Sequence, residues 1–131
     1  MIVLDTHVLV WWVSDPDKVS KRVQKVINAE VKTGQILVSS ISVWEIYLLV
    51  KKRKLGFSID IDSWMQKLES MAFLEFVPVD NRIAAKAVML PDPLHSDPAD
   101  RIIIATAREV GAQLATSDKK ILSYRHVRSI W

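Results

Sequence analysis

The residues that invite chemistry cluster in Asp97-Pro98-Ala99-Asp100-Arg101-Ile102-Ile103-Ile104-Ala105-Thr106-Ala107. Two carboxylates sit three residues apart, with a proline after the first and an apolar helical run after the second. Pro98 suits the first turn of a helix, where its missing N–H costs nothing. Asp97 then falls at the N-cap and Asp100 in the first turn, one turn apart on nearly the same face. The unpaired N–H groups and the helix dipole favour carboxylates there, so a pure capping role is one reading of the pair. A chemical role depends on where the other acids fall.

Asp5 follows the apolar run Met1-Ile2-Val3-Leu4. Glu45 lies in the first turn of a predicted helix after Ile36-Leu37-Val38, and Asp118 lies two residues past Gln113-Leu114-Ala115-Thr116. In a parallel sheet these positions gather at the C-terminal edge, where open α/β folds bind ligands. Four or five carboxylates meeting there repel one another unless a cation is bound. Oxygen donors without cysteine suit a hard ion, Mg²⁺ or Mn²⁺, and an ion of that kind supports phosphoryl chemistry. Each acid also has a plainer explanation. Asp5 and Asp118 are placed to cap helices. Ser42-Val43-Trp44-Glu45 fits the S-x-x-E capping box, in which Glu45 returns a bond to the Ser42 N–H. Asp60, Asp62 and Asp80 repeat the pattern at other helix starts and are assigned no chemistry.

The elements that position these acids read as alternating strands and helices. Short apolar strands are expected at 1–4, 36–38, 74–79 and 113–116, with a fifth near 127–130. Helices are expected at 6–13, from the Ser20 cap up to Gly34, at 43–52, from Asp60 or Asp62 to about 71, at 80–90, at 98–110 up to Gly111, and at 118–124. That alternation predicts one α/β domain over residues 1–131, with a central, mostly parallel sheet of about five strands flanked by helices on both faces. At 131 residues the chain is long enough for one real core. Half its residues are apolar and a quarter charged, which excludes a disordered chain. Its apolar runs are far shorter than a bilayer span, and no secretory leader precedes the first strand, so a cytoplasmic protein without membrane contact is expected. The absence of cysteine excludes disulfides and thiolate chemistry. A net charge of +3 permits a phosphate-rich partner without requiring one.

Four pieces of the chain, taken in order, resemble the PIN-domain ribonucleases, and among them the VapC-type toxins of toxin–antitoxin pairs. They are Met1-Ile2-Val3-Leu4-Asp5-Thr6-His7, Ser39-Ser40-Ile41-Ser42-Val43-Trp44-Glu45-Ile46, the segment Leu94-His95-Ser96-Asp97 through Ala107, and Ala115-Thr116-Ser117-Asp118. The third is the most specific, and together they span nearly the whole chain. The resemblance implies a metal-dependent endoribonuclease that hydrolyses RNA phosphodiesters. It implies Asp5, Glu45, Asp100 and Asp118 as the acidic quartet, with Asp5 and Asp100 as direct Mg²⁺ ligands and Mn²⁺ as a substitute. Thr116 would line the site through its hydroxyl, and Asp97 is an additional acid that only some members carry. His95 recurs in the subgroup and is read as structural. The resemblance further implies a homodimer and a cognate antitoxin that lays a peptide over the site.

Other features complete the expectations. Arg101, next to Asp100, is placed to screen the acids or hold a phosphate. Lys51-Lys52-Arg53-Lys54 complements a helix C-terminus or meets an RNA backbone. Trp12, Trp44, Tyr47 and Trp64 are expected at the surface, in a two-fold dimer built on the helices after strands two and three. Three rival functions are weighed. A catalytically silent scaffold of the same fold would keep the architecture without the metal. A receiver-like phosphate-signalling module would want paired acids after the first strand and a Lys after the fifth; Asp5 stands alone, and the fifth strand runs to the terminal Ile130-Trp131. A haloacid-dehalogenase phosphatase would want D-x-D where the chain has Asp5-Thr6-His7.

Overall fold

A computed structural model describes residues 1–131. Five strands form one sheet: β1 (Ile2–Leu4), β2 (Ile36–Ser39), β3 (Leu74–Val77), β4 (Gln113–Ala115) and β5 (Ser129–Ile130). Seven α-helices accompany them: α1 (Thr6–Ser14), α2 (Lys21–Val31), α3 (Ser40–Lys51), α4 (Ile61–Glu69), α5 (Asn81–Val88), α6 (Pro98–Val110) and α7 (Lys119–Leu122). The strand order is β3-β2-β1-β4-β5, and every pairing is parallel. The expected α/β architecture is therefore present, with a sheet that is wholly parallel. Receiver domains use the order 2-1-3-4-5, so strand order argues against the signalling alternative.

The central strands β1 and β2 are buried on both faces, and their side chains alternate between two cores. Ile2, Leu4, Ile36 and Val38 face one layer, where they meet Val8 and Leu9 of α1, Val23 and Ile27 of α2, and Trp64, Met65 and Leu68 of α4. Val3, Leu37 and Leu114 face the other, against Ile103, Ile104 and Ala107 of α6 and Ile121 of α7. α5 packs on α6 through Ile83, Ala87 and Ala105. No helix is long and apolar enough to cross a membrane.

Local chemistry sets the boundaries. Ser20, Asp60, Asp80 and Asp97 each accept a backbone N–H at the start of α2, α4, α5 and α6. Gly111 closes α6 at φ 70°, a left-handed cap that a side chain would resist. The capping box expected at Ser42 and Glu45 is not formed. β2 runs directly into α3, and Ser39 takes the cap by accepting the Ile41 N–H at 3.2 Å. Ser42 and Glu45 thus lie inside the helix with their side chains free for other partners. Trp64 is also not a surface residue. It is 5% exposed, stacks on Phe57 at 4.2 Å and donates its indole N–H to Ser14 Oγ. Trp12 is half-buried against Phe73.

The order 3-2-1-4-5 reverses direction between β1 and β4. The chain builds outward from β1 through β2 to β3, then crosses back to place β4 on the other side of β1. At that switch the connections diverge, and the carboxyl ends of β1 and β4 open onto a crevice. Asp5 and Thr116 are the residues that follow directly on those two strands.

Candidate active site

Asp5 leaves β1 as the N-cap of α1, and its Oδ1 accepts the Thr6 N–H at 2.8 Å. Its Oδ2 accepts the Thr116 hydroxyl at 2.7 Å. Thr116 follows β4 and is fully buried. The same hydroxyl oxygen accepts the Asp118 N–H at 3.1 Å, so one side chain ties two of the acids together. Asp118 caps α7 by accepting the Lys120 N–H at 2.8 Å.

The second tie runs from α1 to α3. Thr6, also buried, donates its hydroxyl to Glu45 Oε1 at 2.6 Å and shares a 2.8 Å hydrogen bond with Ser42 Oγ. With Oε1 fixed, Glu45 keeps Oε2 without a protein partner. The third acid comes from α6. Asp97 caps that helix through the Asp100 N–H, and the Asp100 carboxylate lies 2.7 Å from His95 Nε2 through Oδ2. Its Oδ1 has no protein partner. Asp5, Asp97 and Asp118 thus cap helices and belong to the acidic cluster at the same time. Carboxylates carry more lone pairs than these caps use.

The proton affinities report the crowding. Burial is the chief cause that holds the Asp5 carboxyl above the ordinary carboxylate range; the Thr116 hydroxyl and Thr6 amide pull it down, and the charge of Asp118 pushes it up. Glu45 is raised mainly by burial and further by the charges of Asp5, Asp100 and Asp97, against the lowering effect of the Thr6 hydroxyl. Asp100 is raised by burial and by Asp97 and Asp5, against His95. Three carboxyls from three separate elements thus feel one another at the edge of β1, and Asp118 joins them through Asp5.

A hard divalent cation suits this donor set. All candidate donors are oxygens, Asp100 Oδ1 and Glu45 Oε2 are free, and the mutual repulsion that adds to burial in raising these proton affinities is what a cation relieves. No three His, Asp or Glu side chains are arranged as a ready-made cage. A hydrated ion held by one or two carboxylates, as Mg²⁺ prefers, would fit such a donor set, and Asp5 and Asp100 are residues that could hold it.

Arg101 does something other than the sequence predicted. Its guanidinium donates to the carbonyls of Ala87, Val88, Leu94 and His95 at 3.0–3.3 Å. It binds the end of α5 to the loop that carries His95 and has no bond to an acid. The hydroxyls of Thr6 and Ser42 are the site residues that sequence reading missed. A Thr directly after a strand-ending Asp and a Ser three residues before a Glu were the available signals; the capping-box pattern hid the second.

The sequence profile of the PIN domain family matches residues 2–127. Ribonuclease VapC22 of Mycobacterium tuberculosis (strain ATCC 25618 / H37Rv) is 34% identical over 129 residues, covering 98% of this chain and 95% of that protein. Among solved structures, FitAcB from Neisseria gonorrhoeae superposes with a TM-score of 0.72 at 22% identity, over 100% of this chain and 97% of that one. VapBC2 from Rickettsia felis, bound to a DNA fragment from its promoter, gives 0.72 at 20% identity over 100% and 99%. A toxin–antitoxin complex from Klebsiella pneumoniae gives 0.68 at 17% identity over 100% and 97%. At these identities the solved structures speak to the fold.

Proposed function

The chain belongs to the PIN-domain family, and on that premise we propose that it is a Mg²⁺-dependent endoribonuclease, with Mn²⁺ able to substitute, acting as the toxin of a toxin–antitoxin pair. The observation that carries this reading is the convergence of Asp5 from the end of β1, Glu45 from α3 and Asp100 from α6 on the β1–β4 switch, with Asp5 and Glu45 fixed there by the Thr116 and Thr6 hydroxyls. Capping alone needs one carboxylate per helix. It does not need Glu45, which caps nothing, to be held at Asp5 and Asp100 by a buried threonine.

In this reading Asp5 and Asp100 would hold the cation, which would supply polarisation of the scissile phosphate and a more acidic water. Thr116 fixes the Asp5 carboxylate by occupying one lone pair of Oδ2. Thr6 fixes Glu45 through Oε1 and aims Oε2 at the crevice. Glu45, with its raised proton affinity, accepts the proton of the attacking water at Oε2. Asp118 assists from the other side of Thr116. His95 orients the Asp100 carboxylate through Oδ2 and leaves Oδ1 for the ion. The water oxygen bonds to phosphorus as its proton passes to Glu45, the bond from phosphorus to the 3′ oxygen breaks, and that oxygen takes up a proton from solvent, so the products carry a 5′-phosphate and a 3′-hydroxyl.

The relative named a ribonuclease supports RNA as the substrate. An antitoxin and a homodimer complete the proposal. Trp44 supports an interface, being 59% exposed beside Glu45 on the wall of a groove of about 540 Å³ that also includes His7, Leu48 and Asp97. The toxin role places the protein with its RNA in the cytoplasm. A silent scaffold would have no use for carboxylates with free lone pairs held in a strand-end crevice.

The test is the chemistry of the ends. Purified protein with Mg²⁺ is expected to cut single-stranded and structured RNA to 5′-phosphorylated fragments that a 5′-phosphate-dependent exonuclease degrades. Products ending in 2′,3′-cyclic phosphate would mean attack by the 2′-hydroxyl and would refute the metal-water mechanism.

A further inference from the structure

A cleft of about 580 Å³ opens on the α7 side of the acids, and its chemistry is unlike that of the groove beside Trp44. Its walls carry Lys120, Arg125, His126 and His95, with Asp92 as the one acid. Two of its residues bond directly to the catalytic candidates. His95 meets Asp100, and the Lys120 backbone N–H donates to Asp118. The cleft therefore adjoins the site where the phosphodiester would be cut, through His95 and Lys120.

The cleft is also firmly built. Its floor is Tyr124, 5% exposed, whose hydroxyl donates to the Pro91 carbonyl at 2.7 Å. The His126 ring lies against Tyr124 with centroids 5.3 Å apart at 60°. Arg108 fixes the His126 backbone by donating to its carbonyl at 3.0 Å. The charges above that floor are free. Lys120 and Arg125 are exposed and enter none of the ion pairs of the chain, whereas Arg82 and Lys86 are both committed to Glu109. A supported aromatic face next to two unpaired cations is the equipment that single-stranded nucleic acid recognition uses: stacking for a base, charge for its phosphate.

We propose that this cleft is the subsite for the unpaired nucleotide next to the scissile bond, with its base on His126 and its phosphate between Lys120 and Arg125. The inference rests on the RNA-hydrolysis reading and adds where the strand runs. It leaves the acids over α7 and the loop after it, away from Glu45 and Asp97. The acid-lined groove beside Trp44 repels phosphate, and the α7 side attracts it. The nucleotide in the subsite must be unstacked from its neighbours, so the enzyme is expected to cut at loops and single strands in preference to duplex.

The experiment is a salt titration of oligoribonucleotide binding in EDTA, with steady-state cleavage measured in Mg²⁺. Each phosphate contact contributes about −0.7 to the slope of log K against log[salt] for a single strand. Lys120→Ala with Arg125→Ala is expected to flatten the slope by about that amount and to raise KM roughly tenfold, with little of the loss in kcat. His126→Ala is expected to weaken binding about tenfold without changing the slope, and His126→Phe to restore it. Lys25→Ala with Lys32→Ala removes the same two positive charges from α2 and the residue after it, away from the acids, and is expected to change neither. Because Lys120 and Arg125 make no side-chain bonds, their removal does not threaten the fold, and an unchanged melting curve verifies that. An unaltered slope and KM in the double variant, in an enzyme that cleaves RNA, overturns the subsite alone. Failure of the unaltered protein to bind or cleave RNA overturns the functional reading and the subsite with it.

Discussion

Replacing Thr116 with valine removes one oxygen atom and almost no volume, and its consequences follow from two hydrogen bonds. The Thr116 hydroxyl donates to Asp5 Oδ2 at 2.7 Å and accepts the Asp118 N–H at 3.1 Å, in a side chain with no exposed surface. A hydrogen bond to a charged group contributes about 1.5–3 kcal/mol, and an amide left without its acceptor costs about 1–3 kcal/mol, which water at partly exposed Asp118 offsets in part. The combined loss is about 2–4 kcal/mol. A domain of this length loses roughly 3–4 °C of melting temperature per kcal/mol, so a fall of about 7–15 °C is expected without metal. Chemistry should move as well. The hydroxyl is the largest influence lowering the Asp5 proton affinity. Without it Asp5 keeps its proton to higher pH, and the acidic limb of the pH–rate profile shifts upward. Thr116→Ser retains the hydroxyl and should recover the limb. The assays are calorimetric melting in EDTA and the pH dependence of kcat/KM in Mg²⁺. A valine variant that melts within about 2 °C of the unaltered protein and keeps its acidic limb would show that Thr116 does not hold Asp5, and the site as built would be wrong.

Asp100→Asn should leave the metal-free protein as stable or more so: the Asp100 proton affinity is raised despite His95, so its environment disfavours the charge, and melting in EDTA reads this. The sign can be followed with pH. Below the ordinary value of 3.8 both variant and parent are neutral at this position and melt together; as pH rises through the higher value of the folded state the parent loses stability, and the gap opens in favour of the variant. Asp80→Ala removes a cap that bonds the Ile83 N–H at 2.8 Å far from the crevice; denaturant titration should show a loss of about 1 kcal/mol with near-normal cleavage. Mn²⁺ titration followed by electron paramagnetic resonance should show binding in the parent and its loss in the Asp5→Asn, Asp100→Asn double variant.

What the sequence revealed and what it hid divide along physical lines. Strand positions were legible because a fully parallel sheet needs unbroken apolar runs, and 2–4 and 36–38 are such runs. Asp5, Asp100 and Asp118 were legible because strand ends and helix starts converge in any parallel sheet. Their capping and clustering could not be told apart, since both place a carboxylate at the same N-terminus, and for Asp5 and Asp118 the structure shows both. Glu45 was obscured by its spacing from Ser42. The capping box assumed a helix starting after Ser42, but β2 passes into α3 without a loop, so Ser39 takes the cap and Ser42 turns toward Thr6. Arg101 was misjudged because its partners are backbone carbonyls of Ala87, Val88, Leu94 and His95, which leave no mark on side-chain chemistry. Trp64 was misplaced because its burial depends on Phe57 and Ser14, contacts that no periodicity within α4 encodes.

The central claim is that the acids at the β1–β4 switch form a metal-dependent RNA hydrolysis centre, and a four-way cleavage assay tests it most directly. The unaltered protein and Asp100→Asn are each given a structured RNA with Mg²⁺ and with EDTA. Cleavage is expected only for the unaltered protein in Mg²⁺, with the variant melting at or above its temperature in EDTA. Cleavage by Asp100→Asn at the unaltered rate, or cleavage that persists in EDTA, would contradict the account and leave Asp100 as one more carboxylate in the first turn of a helix.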